Sequence, residues 1–158
     1  DGGLDRHHLY RSGDALYFGA PGALSYGMIR ETGEFVVNLT TEELAKATDW
    51  CGVKSGRDVD KWKEMGLTKG KASTLSYAPV ILESPVNIEC KVTEVKELGS
   101  HHMFLARVTA VQVDEKYMKK NGKFELNHTG LLAYSHGEYL GLGKSLEGSD
   151  GVLRKDSF

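Results

Sequence analysis

VNIECKVTEVKELGSHHMFLARVTAVQVD, residues Val86–Asp114, is the longest β-rich text in the chain. Val86, Ile88, Cys90 and Val92 alternate with Asn87, Glu89, Lys91 and Thr93. This is the period of two that turns one face of a strand to a core and the other to water or a partner. Gly99 and Ser100 break the pattern, and a second β-rich run begins at His102. The runs Val86–Leu98 and His102–Asp114 are therefore predicted to pair as a long antiparallel hairpin.

Working outward, Pro79 and Pro85 frame a brief edge segment on the N-terminal side. Asp58–Met65 reads as a short helix ended by Gly66. Leu24, Met28 and Ile29 lie at helical spacing before Gly33, and Glu34–Leu39 is an apolar run fit for a buried strand. Thr40 or Thr41 then stands where a capping box would open a helix carrying Leu44, Ala45 and Ala47 toward Trp50. On the C-terminal side, Leu131–Tyr134 and Tyr139–Leu142 are predicted as a last pair of short strands around Ser135, His136 and Gly137. The sum is a mostly antiparallel β-protein with a few short inserted helices, in which a barrel would remove exposed strand edges.

The chain of 158 residues suits one domain, 1–158, with 27% charged and 40% hydrophobic residues and a net charge of -2. Twenty basic against 22 acidic side chains leave no basic stripe for phosphates, which argues against nucleic-acid binding. No apolar run is long enough to span a bilayer, and the first residues lack the basic-then-apolar form of a signal peptide, so a cytoplasmic protein is expected. Cys51 and Cys90 lie far apart outside any CxxC and are read as free buried thiols, with no metal site. His101 and His102 are not read as a metal pair, because neighbours in a strand point to opposite faces.

Several segments in this order resemble the flavin reductase-like, FMN-binding split-barrel family, and its flavoredoxin-like branch in particular. They are Ser25–Thr41 (SYGMIRETGEFVVNLTT), Trp50–Gly52 with Ser55–Trp62 (SGRDVDKW), Glu83–Lys91 (ESPVNIECK) and the Gly99–His102 tip. The resemblance covers about residues 24–144. It implies an antiparallel, Greek-key-like split barrel that forms a homodimer, with FMN in a groove beside the subunit interface.

Residue by residue, the resemblance places FMN at the turn Asn38–Leu39–Thr40, where backbone N–H groups can face an anion. A turn asparagine that bonds its own backbone reads the same way. Lys61 is placed against the flavin, where a cation would stabilise negative charge on the reduced ring; a solvated surface lysine is the other reading. Ser55 and Gly56 would bring backbone donors to the cofactor, or form a plain turn. His101 at the hairpin tip would contact the flavin of its own or the other subunit, or be a solvated turn histidine. Tyr134, near His136, would lie along the flavin, or pack in the core. Tyr26, within the matching text, is included among the cofactor contacts.

What the resemblance implies chemically is an FMN-dependent oxidoreductase in which NADH or NADPH passes a hydride to the flavin, which passes electrons on. With no GxGxxG present, the nicotinamide would bind only transiently. The alternatives are an FMN-binding electron carrier fed by a redox protein partner, and a barrel remnant without bound flavin. Both ends depart from the family pattern. LDRHHLYRSGDA (Leu4–Ala15) stands where relatives carry text similar to Trp-Thr-Gly-Thr-Ile-Cys-Thr-Asp-Pro-Pro. Back-translated with permitted codons and read one nucleotide out of frame, this segment gives Trp-Thr-Gly-Thr-Ile-Cys-Thr-Asp-Pro-Ala-Met, and Glu147–Lys155 shifts in the same way to a family-like ending. This predicts a shifted reading frame at both ends, with roughly the first fifteen residues as loop, poorly ordered or misassigned.

Overall fold

In the computed structural model, which describes the backbone of Arg6–His8 and residues 13–143 in full, strand alternates with short helix. In chain order the elements are β1 (Arg6–His8), β2 (Asp14–Gly19), α1 (Leu24–Thr32), β3 (Glu34–Asn38), α2 (Ala45–Val53) and α3 (Lys61–Met65). There follow β4 (Lys69–Gly70), β5 (Val80–Ile81), β6 (Val86–Glu97), β7 (His102–Asp114), β8 (Leu132–Ser135) and β9 (Glu138–Gly141). Among the described residues no helix is long and apolar enough to cross a membrane.

β6 and β7 form the expected hairpin, and everything else is laid on it. β3 pairs with β6, while β1 and β2 pair with successive parts of the other edge of β7, all antiparallel. Among the described residues the sheets do not close, and β3 is an open edge. β4 with β5 and β8 with β9 make two small sheets, the second as expected. Strands at Arg6–His8 and from Asp14 correct the expectation of loop at those residues, while 1–5 and 9–12 lie outside the described residues. Pairing is made by backbone groups, and the long β7 offers them a template whatever the side chains; Ala15 and Tyr17 also pack on the core. The family-like ending proposed for Glu147–Lys155 lies outside the described residues.

One face of the sheet carries the main core: Phe35, Cys90, Phe104, Ala106 and Val108, covered by Tyr26 and Ile29 of α1. Gly33 ends α1 in the left-handed region, φ 68°, where a glycine costs least, and its N–H reaches the Ile29 carbonyl at 2.8 Å. The pairing shifts register twice: between Glu89 and Cys90 the extra residue is Thr109 of β7, and between Val92 and Glu94 it is Thr93 of β6, which changes the phase of β6 so that Val95 joins the core side.

The other face corrects the reading of Asn87 and Glu89 as turned to water or a partner: both are wholly buried. The segment after β4 lies over them, with Ala72, Leu75 and Val80 forming a second apolar cluster. Its anchor is the Glu89 carboxylate. Oε1 accepts from Ser73 N–H, Ser73 Oγ and Gln112 Nε2 at 2.7–2.8 Å, and Oε2 from Thr74 N–H and Oγ1 at 2.6–2.7 Å. Burial alone would raise the pKa of this group; the hydrogen bonds to its charged form win and hold it at about 2. Glu34 holds the same segment nearby, its Oε2 accepting from the Ser76 and Tyr77 N–H groups at 2.9 and 2.8 Å. The capping box at Thr41 does not form. Thr41 makes a β-bridge with Leu131, and a 3₁₀ turn, Glu42–Leu44, leads into α2 instead.

Candidate functional site

α2 ends where Lys54 turns extended, and Ser55 and Gly56 start a loop that closes at Asp60. The Asp60 carboxylate accepts from the N–H groups of Trp62 and Lys63 at 3.1 and 3.3 Å, which starts α3 with Lys61 as its first residue. From there the Lys61 ammonium reaches back and donates to the Cys51 carbonyl at 2.6 Å, in the last turn of α2. This satisfies a carbonyl that the helix end leaves open and sets a cation at the negative end of the helix dipole.

Between this loop and the start of α1 lies a cleft of about 690 Å³. Leu24 and Met28 give it an apolar wall, Cys51–Arg57 its opposite side, and Lys54, Arg57 and Lys61 three positive charges. Arg57 Nη1 donates to the Gly22 carbonyl at 3.2 Å and ties the loop to the turn before α1. Ser55 Oγ accepts from the Arg57 N–H at 3.2 Å, and the Ser55 carbonyl from the Asp58 N–H at 3.1 Å. The N–H groups of Ser55 and Gly56 have no partner among the described residues. Two open backbone donors beside three cations suit an anion. Gly56 also keeps the cleft wide, since a Cβ there would stand 3.2 Å from Leu24 Cδ2. Lys61 spends one of three N–H bonds on Cys51, which leaves two for a ligand.

The space continues past Lys61 into a second cleft of about 580 Å³ that reaches Trp62 and Lys69, whose ammonium sits 5.2 Å from the centre of the Trp62 ring. Beyond Met28 and Trp62 a smaller slot of about 250 Å³ runs between α1 and residues 77–81 along the open edge of β3.

Ser55, Gly56 and Lys61 thus meet in one cleft. Asn38 lines the adjoining slot, where its Oδ1 accepts from the Ile81 N–H at 3.1 Å and its Nδ2 donates to the Val36 carbonyl at 3.4 Å. Leu39 and Thr40 make backbone bonds to Val86 and Leu132. Tyr26 is buried, its hydroxyl 2.7 Å from His102 Nδ1 and accepting from Arg30 Nη1 at 2.8 Å. His101 is exposed at the hairpin tip beside Ser100. Tyr134 is 66% exposed on β8, its ring 5.0 Å from that of Tyr139. Tyr26, His101 and Tyr134 stand apart from the cleft in this chain.

Sequence reasoning missed Leu24, Met28, Arg57 and Trp62. Leu24, Met28 and Ile29 lie at helical spacing on α1, but only Ile29 is buried; the other two face the cleft. The available signal was Arg57, directly after Ser55–Gly56. Cys90 is buried, and burial first, then the Glu89 charge, pushes its thiol up to about 11, so it is inert. Cys51 differs from expectation: it is half-buried and lines the cleft.

The sequence model of the flavin reductase-like domain matches residues 17–143. An uncharacterized protein of Archaeoglobus fulgidus is 31% identical over 114 residues, 72% of this chain and 63% of its own length. This chain therefore spans under two thirds of that relative. Flavoredoxin from Methanosarcina acetivorans superimposes with a TM-score of 0.77 at 26% identity, over 86% of this chain and 72% of that one. An FMN-binding protein from Thermus thermophilus superimposes with a TM-score of 0.70 at 23% identity, over 85% and 72%.

Proposed function

The chain belongs to the flavin reductase-like domain family, with its mostly β split-barrel fold, and on that footing we propose that it is an FMN-binding oxidoreductase. The observation that carries this reading is the 690 Å³ cleft, which joins three cations and two open N–H donors to an apolar wall. That combination suits a molecule with a phosphate at one end and a flat ring system at the other. The Ser55 and Gly56 amides with Arg57 would hold the phosphate. Leu24 and Met28 would cover the ring, and Lys61 would set positive charge beside it. Bound FMN would supply two-electron transfer, while the protein supplies position and electrostatics.

NADH or NADPH is the proposed reductant, binding only transiently. The absorption spectrum of the purified protein, followed by titration with FMN, tests cofactor binding. A colourless protein that takes up no added FMN would leave the barrel-remnant reading in its place. Similarity to flavoredoxin from Methanosarcina acetivorans favours a second reading, an electron carrier reduced by a partner redox protein. Stopped-flow mixing with NADH and NADPH separates the two: rapid flavin bleaching marks the reductase, and indifference to both marks the carrier.

A homodimer belongs to the same proposal. Leu16 and Phe18 of β2, paired with Leu105 and Met103, turn outward on the half of the hairpin that the segment after β4 does not cover, at 59% and 53% exposure. A second copy laid on this stripe would bury it and bring a second hairpin tip, with its His101, to the assembly. Light scattering at micromolar concentration tests it, and a monomer mass would count against the proposal.

A further inference from the structure

Outside the cleft, Arg30, Tyr26 and His102 form a chain of hydrogen bonds. The Tyr26 hydroxyl accepts from Arg30 Nη1 at 2.8 Å and stands 2.7 Å from His102 Nδ1. A guanidinium only donates, so Arg30 fills a lone pair of the hydroxyl and cannot take its hydrogen. Tyr26 is 6% exposed, and its hydroxyl has no further partner among the described residues. Its hydrogen therefore goes to Nδ1, since any other arrangement strands a buried donor. This fixes the His102 ring as the tautomer that carries its hydrogen on Nε2. Glu97 lies opposite His102 in β6 and meets Arg30 at 3.4 Å, so it aligns the guanidinium that closes off the hydroxyl. The Tyr26 ring meets those of His102 and Phe104 edge-on, with centroids 5.2 and 5.4 Å away.

What this chain holds is α1. The helix has nine residues, Ala23 gives its first turn no side-chain cap, and Gly27 stands inside it. Such a helix is marginal by itself, so its place depends on what its side chains reach. Tyr26 lies in the first turn, between Leu24 and Met28, which form the apolar wall of the 690 Å³ cleft. Apolar packing of Ile29 and of the Tyr26 ring has no direction of its own, whereas a hydrogen bond does. We propose that Tyr26 is a positioning residue for the cleft: its hydroxyl ties α1 to the start of β7 and so fixes where Leu24 and Met28 stand. His102 is the acceptor, and Arg30 is the donor that leaves the hydroxyl a single way to turn. The effect on flavin rests on the FMN reading of the cleft; the tie and the tautomer do not.

The test uses the whole chain. Long-range proton–nitrogen NMR of the His102 ring at pH 8, above the ordinary range of histidine, should find Nδ1 bare and Nε2 protonated. Tyr26→Phe keeps the ring in the core and removes only the hydroxyl, so the imidazole should then populate both tautomers. In FMN titration followed by flavin fluorescence, Tyr26→Phe and His102→Leu should each weaken binding about threefold, and the two together no more than either alone. His102→Asn, which sets an Oδ1 acceptor where Nδ1 stands, should keep affinity within about twofold of the wild type. A wild-type imidazole with its hydrogen on Nδ1, additive losses, an asparagine variant no better than the leucine one, or unchanged affinity in every variant of a protein that binds FMN overturns the proposal. A protein that takes up no FMN removes the flavin reading, and the same cycle is then read in hydrogen exchange of the α1 amides. Faster, non-additive exchange in Tyr26→Phe and His102→Leu keeps the tie, and unchanged exchange overturns it.

Discussion

The loop after β4 and the loop after α2 are built in opposite ways. Residues 72–77 are held by two buried carboxylates, with Glu89 accepting five hydrogen bonds and Glu34 two more. Residues 54–60 make a handful of bonds at an exposed surface and leave the Ser55 and Gly56 N–H groups open beside three cations. In the first loop the anion is part of the protein and takes the amides of Ser73, Thr74, Ser76 and Tyr77. In the second the amides and cations are present and the anion is not part of the chain. Amides held by the chain's own carboxylates mark a structural loop, and open amides in a cationic cleft mark a place for a ligand.

The largest expected effect lies in the satisfied loop. Glu89→Ala strips five donors of their acceptor inside the fold and should cost about 3 to 5 kcal/mol in chemical denaturation. Arg57→Ala in the open loop loses one exposed bond to Gly22 and should cost under about 1 kcal/mol. Equal losses for the two would break the contrast.

Acid tests the same loop without mutation. The Glu89 pKa falls from 4.5 to about 2 on folding, so the stability it contributes is complete above about pH 4.5 and is lost as pH falls toward 2. The difference is on the order of 3 kcal/mol. Stability measured from pH 5 to pH 2 should drop by about that much more in the wild type than in Glu89→Gln. Parallel curves would remove the carboxylate from the account.

In the open loop, Lys61→Met keeps chain length and removes charge. Loss of the bond to the Cys51 carbonyl should cost about 1 kcal/mol of stability. Loss of the cation should weaken FMN binding about tenfold or more, the scale of a charged hydrogen bond at ~1.5–3 kcal/mol. Unchanged affinity in a protein that binds FMN would return Lys61 to the helix-end role alone.

These regions also differ in how far the sequence reveals them. The hairpin is plain in Val86–Asp114 because period-two alternation and the Gly99–Ser100 break are local signals. Burial of Glu89 is not, since a charged residue on the polar phase of a strand looks the same whether water or a loop covers it. Only the contact with Ser73 and Thr74, made 15 and 16 residues away, decides the matter. The change of phase between Val92 and Val95 hides for a similar reason, because a bulge has no fixed sequence mark. At the site, Ser55, Gly56 and Lys61 came from resemblance to a family, and the structure gathers them in one cleft. Tyr26 went to the core because it shares a helix face with Ile29, three residues on. The apolar character of Leu24 and Met28 was visible, but which side of α1 would be left open was not.

The smallest expected effect sharpens the contrast most, because it separates ligand from fold. Gly56 has no positive φ to require a glycine, and an added Cβ meets the flexible end of Leu24 at 3.2 Å and, in ordinary contact, Lys61 Cε at 3.9 Å. Gly56→Ala should therefore change stability by less than about 0.5 kcal/mol, as exposed loop substitutions do. The methyl group nonetheless enters the cleft between the loop and α1, where the proposed FMN must pass close to the backbone, and Leu24 must give by a few tenths of an ångström. FMN affinity should fall about threefold, read by flavin fluorescence titration, with denaturation curves overlaying those of the wild type. If affinity holds while Lys61→Met still weakens it, the flavin approaches from the Lys61 and Trp62 side, and the narrow passage at Gly56 serves some other purpose than admitting it.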